Sequence, residues 1–259
     1  MKAPARQRLD VLMVARGLAE TRDRAQRLIR AGEVRVNGQV VDLPSRTCAE
    51  DVEIAVQNPP RYVSRGGFKL EAALDRFQLD PAGLVCVDVG SSTGGFTDCL
   101  LQRGAQRVYA LDVGNNQLHW KLRQDPRVVV MEGVNVRYLE TLPEAVSFAV
   151  TDVSFISLTL ILPRIFDWLR ASPPQIPEAA APATVGSVVA LIKPQFEAGR
   201  EKVGRGGIVR DPAVHREVTE RIVAFCANLG WRSAGLIESP ILGADGNKEF
   251  LAWLRRGRE

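Results

Sequence analysis

The feature that most constrains this chain is a glycine-rich turn directly after a short apolar run. The run is Leu84-Val85-Cys86-Val87, whose β-branched and apolar character is typical of a buried parallel strand. The turn follows as Asp88-Val89-Gly90-Ser91-Ser92-Thr93-Gly94-Gly95-Phe96-Thr97, and helical periodicity continues to Gln102. This order presents free backbone N–H groups at a helix N-terminus, where a small ligand can approach closely. The spacing is not G-x-G-x-x-G, so a dinucleotide fingerprint is a poor match.

Polar residues after the later predicted strands point to a nucleoside-containing cofactor. Asp112 ends the next strand, about 20 residues after the turn, where a carboxylate can accept both hydroxyls of a ribose. As alternatives to ligand binding, the glycines are needed only because the turn adopts positive φ angles, and Asp112 only caps a helix. The candidate cofactor-binding residues are Asp88, Gly90, Ser91, Ser92, Gly94, Gly95, Phe96, Thr97, Asp112, Val113, Asn135 and Asp152.

The order of elements predicts an α/β fold with a doubly wound, mostly parallel sheet. We expect strands at 84–88, 107–112, 128–132, 148–152 and 188–193, helices at 95–102, 116–123, 158–169 and 215–229, and closing strands at 231–239 and 250–254. The Pro- and Ala-rich stretch 172–186 is predicted to be a surface loop.

The N-terminal segment predicts a smaller α+β unit. Helices are expected at 8–18 and 22–31, and Asn37-Gly38 predicts a hairpin over 34–41. In the second helix, Arg24, Arg27 and Arg30 fall opposite the apolar face of Ala25, Leu28 and Ile29. A solvated face is one interpretation. With no acid interleaved among the three arginines, contact with a phosphate backbone is favoured.

Composition narrows the class of protein. The four cysteines are scattered without a C-x-x-C pair and the two histidines are isolated, so disulfides and a metal site have little support. The net charge is +4, and no run of about 18 apolar residues occurs. We expect a cytoplasmic protein that neither binds a metal nor enters a membrane; its oligomeric state stays open.

A domain boundary is expected at Pro59-Pro60, because two prolines break both helix and central strand. This gives an N-terminal domain at 1–58, a linker at 59–65 and a large domain at 66–259. Just after the linker, Lys69 is predicted in the first turn of a helix, where its charge opposes the helix dipole. Such a placement is typical of a functional site, although an ordinary surface lysine is the alternative.

Two sets of motifs resemble known families. Arg8-Leu9-Asp10, the stretch 24–29 and the stretch 32–38 resemble the S4 RNA-binding domain. The turn 88–97 resembles the S-adenosylmethionine (SAM) motif of the RrmJ/FtsJ-like ribose 2′-O-methyltransferases. The two together resemble the TlyA family, often labelled hemolysin A, and the stretches 154–158, 193–197 and 246–250 also match that family.

The resemblance implies a Rossmann-like methyltransferase that uses SAM, acts on a ribose of ribosomal RNA, and needs neither a membrane nor a metal ion. It implies a catalytic tetrad of Lys69, Asp152, Lys193 and Glu249, with Lys193 as base or alkoxide stabiliser, Lys69 as its cationic neighbour and the carboxylates as orienting groups. It suggests cytidine as the target and ribosomal subunits as partners. The RNA-binding candidates are Arg8, Arg24, Arg27, Arg30, Arg35 and Arg65.

Other functions remain as alternatives at this point. A membrane-active hemolysin needs a spanning segment or a wide apolar helix face, and a non-catalytic RNA-binding assembly factor would not need the tetrad. Asp152-Val153-Ser154-Phe155 lacks the Pro-Pro-aromatic arrangement associated with methylation of base nitrogens, which favours a ribose oxygen. The basic, Gly-rich stretch 199–210 either closes over RNA or is a solvated loop.

Overall fold

The computed structural model describes residues 6–57, 60–171 and 183–257. The predicted boundary at Pro59 and most of the predicted loop at 172–186 therefore lie outside the described residues. The chain divides into two compact units, Met1–Ser64 with His119–Lys121, and Arg65–Leu118 with Leu122–Glu259.

The first unit is a small α+β fold, as expected. Three antiparallel strands form one sheet and a second strand pair lies apart from it. At the hairpin, Asn37 and Gly38 both have positive φ (48° and 78°), which a type I′ turn requires. The elements are β1 (Arg6–Arg8), α1 (Leu9–Ala15), α2 (Arg22–Arg30), β2 (Val34–Val36), β3 (Gln39–Val40), β4 (Thr47–Ala49) and β5 (Ile54–Val56).

Helix α2 has the two faces that the sequence predicts. Ala25, Leu28 and Ile29 are buried, whereas the arginines at 24, 27 and 30 are exposed. No acid lies between Arg24 and Arg30, but Asp23, directly before the stripe, pairs with Arg27 at 3.0 Å. Helix α1 is shorter than predicted. It ends at Ala15, and Gly17 reverses the chain with φ of 65°.

A buried carboxylate joins the two helices of this unit. Asp10 is fully buried and accepts hydrogen bonds from Arg8 (3.0 and 2.9 Å), Arg22 (2.9 Å) and Gln26 (2.9 Å). The Arg8 guanidinium, followed by the other donors, holds the pKa of Asp10 well below its usual range. The start of α1 is thereby fixed to the start of α2 through one side chain.

We predict that Asp10→Ala destabilises the protein by about 1–3 kcal/mol at pH 7, since it removes the common acceptor of three donors. Asp23→Ala is the matched control, because its ion pair is exposed and should contribute less than about 0.5 kcal/mol. The folded pKa of Asp10 is depressed, so its contribution is present above about pH 4 and is lost as the pH falls. Thermal unfolding at pH 7 and pH 3 checks both statements. Equal losses for the two variants would contradict them.

The rest of the chain forms a seven-stranded sheet, whose strands in spatial order are β11 (Trp231–Glu238), β12 (Phe250–Arg256), β10 (Ser187–Ile192), β9 (Phe148–Thr151), β6 (Val85–Val89), β7 (Arg107–Leu111) and β8 (Val128–Met131). Strands β9, β10, β6, β7 and β8 run parallel, and β12 runs antiparallel to both of its neighbours. The predicted α/β sheet with closing strands is confirmed. The elements are α3 (Gly66–Phe77), β6 (Val85–Val89), α4 (Gly95–Gln102), β7 (Arg107–Leu111), α5 (Trp120–Arg123), β8 (Val128–Met131), β9 (Phe148–Thr151), α6 (Leu162–Ala171), β10 (Ser187–Ile192), α7 (Pro194–Glu197), α8 (Pro212–Asn228), β11 (Trp231–Glu238) and β12 (Phe250–Arg256).

Two helices in this part of the chain begin later than predicted. The helix at 116–123 is helical only over Trp120–Arg123, because Asn116 adopts a positive φ of 56° and the Glu132 carboxylate accepts the N–H groups of Asn116 and Gln117. The helix at 158–169 begins with a 3₁₀ turn, Leu158–Leu160, and α6 proper starts at Leu162.

Strand β6 is the topological switch point of the sheet. Its neighbours are β7, which follows it in the chain, and β9, which arrives only after β8. In open α/β sheets the crevice beyond the carboxyl ends of such strands is the usual place for a ligand. The glycine turn leaves β6 at this point.

Candidate active site

Sheet topology brings three of the four predicted catalytic residues to one edge. Asp152 follows β9 and Lys193 follows β10, which is parallel to it. Glu249 precedes β12, which runs antiparallel to β10 with Phe250 opposite Ile192. The start of β12 therefore meets the ends of β9 and β10. Lys69 arrives from the first turn of α3, as predicted.

The first ion pair of the site joins Lys193 and Asp152. The Lys193 ammonium lies 2.6 Å from Asp152 Oδ1 and donates to Ser154 Oγ at 2.8 Å. The Phe196 ring centroid is 5.8 Å from the same nitrogen. Pro194 is the first residue of α7. Lys193 therefore has extended backbone angles, because a residue before proline avoids the helical region. The lysine is thus held at the strand end.

The second ion pair joins Lys69 and Glu249 and is buried. The Lys69 ammonium lies 2.5 Å from Glu249 Oε2, and the two residues are 8% and 2% exposed. Gln195 Nε2 donates to the other carboxylate oxygen at 3.5 Å. Because Gln195 is two residues from Lys193, the segment 193–195 connects the two ion pairs.

The glycine turn lies directly beside the first ion pair. Gly90 has φ of 84°, and a Cβ atom there would lie 2.7 Å from the Asp152 carbonyl oxygen. Gly94 has φ of 97°, and a Cβ there would collide with the Leu122 side chain. Both positions therefore require glycine for conformation and for space. The turn and the backbone of Asp152 are in contact.

Buried polar atoms remain without a partner at the base of this turn. Asp88 is fully buried, and one of its oxygens accepts from Thr97 Oγ1 at 2.6 Å. The other oxygen of Asp88 and the hydroxyl of the buried Ser91 have no hydrogen-bond partner among the described residues. Burial raises the pKa of Asp88 to about 7, against the lowering effect of the Thr97 hydrogen bond.

Asp112 connects the turn to the end of the next strand. One carboxylate oxygen accepts the Ser92 N–H at 2.7 Å and the other accepts the Gly114 N–H at 2.7 Å. Each carboxylate oxygen still has capacity for another donor, such as a ribose hydroxyl. Asn135, after β8, accepts the Arg137 N–H at 3.1 Å, and Val113 is exposed. These residues lie at the same carboxyl edge of the sheet.

Comparison with known families agrees with this geometry. A family model described as FtsJ-like methyltransferase matches residues 62–256, and one described as S4 domain matches residues 7–54.

The chain belongs to the FtsJ-like methyltransferase family.

Similar proteins cover nearly the whole chain. The putative rRNA methyltransferase YqxC of Bacillus subtilis is 51% identical, over 98% of this chain and 88% of its own. The 16S/23S rRNA (cytidine-2′-O)-methyltransferase TlyA of Mycobacterium tuberculosis is 41% identical, over 96% and 90%. The structure of a putative hemolysin from Streptococcus thermophilus is 46% identical, covers 99% of this chain and 90% of that one, and has a TM-score of 0.68. Both names, rRNA methyltransferase and hemolysin, thus occur among the relatives of this FtsJ-like methyltransferase.

The predicted RNA-binding arginines fall into different environments. Within the S4 domain, Arg24 and Arg30 are exposed, and Arg8 is held by Asp10. Arg35 donates to the Gly38 carbonyl oxygen at 3.0 Å, inside its own hairpin. Arg65 lies in the methyltransferase unit, exposed at the start of α3. Their contact with RNA stays a prediction.

Sequence reasoning missed several residues that shape the site. Ser154 and Gln195 contact tetrad members, and both lie inside the stretches that carry the family resemblance, 154–158 and 193–197. In the S4 domain, Arg22 shares the Asp10 carboxylate with Arg8 but lies outside the arginine stripe that periodicity singles out. Attention to polar neighbours of the motif residues would have found all three.

We predict that Glu249→Gln destabilises this methyltransferase by about 3–5 kcal/mol, because it leaves the Lys69 ammonium buried without its partner charge. Adding Lys69→Met to Glu249→Gln should recover much of that loss, since the uncompensated charge is gone. Urea unfolding of the two single variants and the double variant gives the coupling free energy. Additive losses would show that the two groups do not form a coupled pair.

Proposed function

We propose that this protein transfers a methyl group from SAM to the 2′ hydroxyl of a cytidine in ribosomal RNA, while its S4 domain docks the RNA. One observation carries the proposal: two lysine–carboxylate pairs, joined through residues 193–195, lie at the strand edge that adjoins the glycine turn. The four residues come from separate parts of the chain. Their convergence supports a catalytic protein over an assembly factor that has kept only the fold.

The residues at the turn fit SAM. Ser91 has an unused buried hydroxyl, and Asp112 has capacity for ribose hydroxyls. When bound, SAM supplies a methyl group activated by a positively charged sulfur. The partly used carboxylates are the groups that would hold its polar ends, because the N–H groups of Gly90, Ser91, Ser92 and Gly94 already donate within the protein and are not free as the sequence suggested.

The lysines prepare the attacking oxygen. A ribose hydroxyl is a poor nucleophile, and its oxygen gains negative charge as its proton is withdrawn. Lys193 lies at the strand end with its ammonium ordered by Asp152 and Ser154, so it can stabilise that charge or, in its neutral form, receive the proton. Lys69, aligned by Glu249, adds a second positive charge that orients the ribose.

The ribose is favoured over a base as the acceptor. After β9 the chain reads Asp152-Val153-Ser154-Phe155, without the Pro-Pro-aromatic arrangement associated with base-nitrogen methylation. The relatives from Mycobacterium tuberculosis and Campylobacter jejuni are named as cytidine-2′-O enzymes.

Since ribosomal subunits are the substrate, we place the protein in the cytoplasm. Among the described residues no helix has the length and apolar character to cross a bilayer.

The direct test is incubation of the protein with methyl-labelled SAM and purified ribosomal subunits, followed by mapping of the modified nucleotide. We expect the label on the ribose of a cytidine. Label on a base would exclude the proposed acceptor, and the absence of any label would exclude the activity.

We predict that Lys193→Ala lowers the rate of methyl transfer at least about 100-fold, the usual contribution of a positioned acid–base or oxyanion-stabilising group. Binding of SAM, measured by calorimetry, should remain. Lys248→Ala is the matched control, because this nearby lysine pairs with Glu238 on the exposed surface. An equal loss in both variants would point to general loss of charge instead of a specific role for Lys193.

A further inference from the structure

A buried amide side chain near the tetrad holds the basic loop 199–210. Asn247 is 2% exposed and lies two residues before Glu249. Its Oδ1 accepts the Val209 N–H at 3.0 Å, and its Nδ2 donates to the Gly207 carbonyl oxygen at 3.0 Å. Two hydrogen bonds from this one side chain therefore hold the loop at Gly207 and at Val209.

A histidine of α8 also holds the loop, through the backbone of Val209. His215 Nε2 lies 2.9 Å from the Val209 carbonyl oxygen and must be the donor, because a carbonyl oxygen only accepts. The same ring packs against Phe250, with centroids 5.6 Å apart. Both backbone polar groups of the buried Val209 are thus held by side chains. Asn247, which accepts the Val209 N–H, and Phe250, which packs against His215, lie on either side of Glu249 in the sequence.

The attached loop is a formed hairpin. Gly204 N–H donates to the Ile208 carbonyl oxygen and Gly207 N–H to the Gly204 carbonyl oxygen, both at 3.1 Å. Gly206 has φ of 78° at the third position of this turn, as a type II turn requires, and Arg205 occupies the second. A Cβ atom at Gly206 or Gly207 would meet nothing within 4 Å, so the outer side of the tip is open.

The loop 199–210 carries positive charge that the described part of the protein does not neutralise. Lys202 is paired with Glu217 at 2.5 Å. Arg200, Arg205 and Arg210 are exposed, and none of them forms an ion pair with a described residue. Exposed guanidinium groups on a fixed backbone match a phosphate better than mobile ones, because less conformational entropy is lost when they bind.

We propose that the Gly204–Ile208 hairpin is a preformed RNA-binding element, that Arg205 contacts a phosphate of the substrate RNA near the target ribose, and that Asn247 is the residue that positions it. The inference rests on the proposed function. Asn247 and Glu249 are two residues apart, so their Cα atoms are at most about 7.6 Å from one another. The loop that Asn247 holds is therefore attached close to the catalytic edge. The RNA backbone must pass that edge to present its ribose to Lys193.

The first test is Arg205→Ala in the full-length protein, assayed on the ribosomal subunit that the wild type methylates. We expect KM for the subunit to rise about 3–10-fold with kcat and SAM affinity unchanged. The slope of log affinity against log salt should fall by about 0.7–0.9, the value for one lost phosphate contact. Arg232→Ala is the control, because this exposed arginine lies at the opposite edge of the sheet, across from Arg255. An unchanged KM and salt slope would overturn the RNA contact.

The second test separates positioning from folding. Asn247→Asp keeps the acceptor for the Val209 N–H, whereas Asn247→Ala loses both hydrogen bonds, so KM should rise further in the alanine variant. Amide exchange at Val209 and Gly207 should accelerate in the same order. Combining Asn247→Ala with Arg205→Ala should raise KM no further than the larger single effect. A fall in kcat alone, with KM and exchange unchanged, would refute the positioning role.

The outcome also distinguishes this inference from the proposed function. Binding of the wild type and Arg205→Ala to ribosomal RNA can be compared by filter retention without any methyl transfer. If no methylation occurs but Arg205→Ala still weakens binding with the reduced salt slope, the proposed reaction fails and the hairpin assignment holds. If methylation occurs and binding is the same in both proteins, the hairpin assignment fails alone.

Discussion

The buried ion pair between Lys69 and Glu249 is the interaction on which the arrangement of the site depends. It joins the first turn of α3, at the beginning of the methyltransferase unit, to the start of β12, at its end. Neither charge has much access to water, so each is stable there only because the other is present. The pair thereby fixes where the last strand begins, and Phe250 opposite Ile192 then places Glu249 beside the Lys193 strand end.

Much of this arrangement could be predicted from the sequence, because it follows from local patterns. The apolar run before Asp88, the glycines after it and the polar residues that end the next strands identify a parallel sheet with its crevice. The opposite faces of α2 were predicted equally well, since helical periodicity depends only on spacing. Which carboxylate pairs with which lysine could not be obtained this way. That pairing depends on strand order, and only contacts between distant segments reveal it.

The errors have the same origin. Periodicity extends the predicted helix 116–123 too far because it does not register that Glu132, 16 residues after Asn116, accepts the backbone N–H groups there. The short strands β1, β4 and β5 carry too few residues for alternation to be visible. In each case a tertiary partner decides the local structure.

The close approach of Gly90 to the Asp152 carbonyl has a consequence for how the two strand ends can move. The Asp152 N–H also donates to the Val89 carbonyl oxygen at 3.0 Å, so adjacent residues of the two strand ends are in direct backbone contact. A displacement of one strand end is transmitted to the other without an intervening side chain. The glycine turn, where we propose that SAM binds, and Asp152, which pairs with Lys193, are therefore coupled through the backbone, so neither can shift without displacing the other.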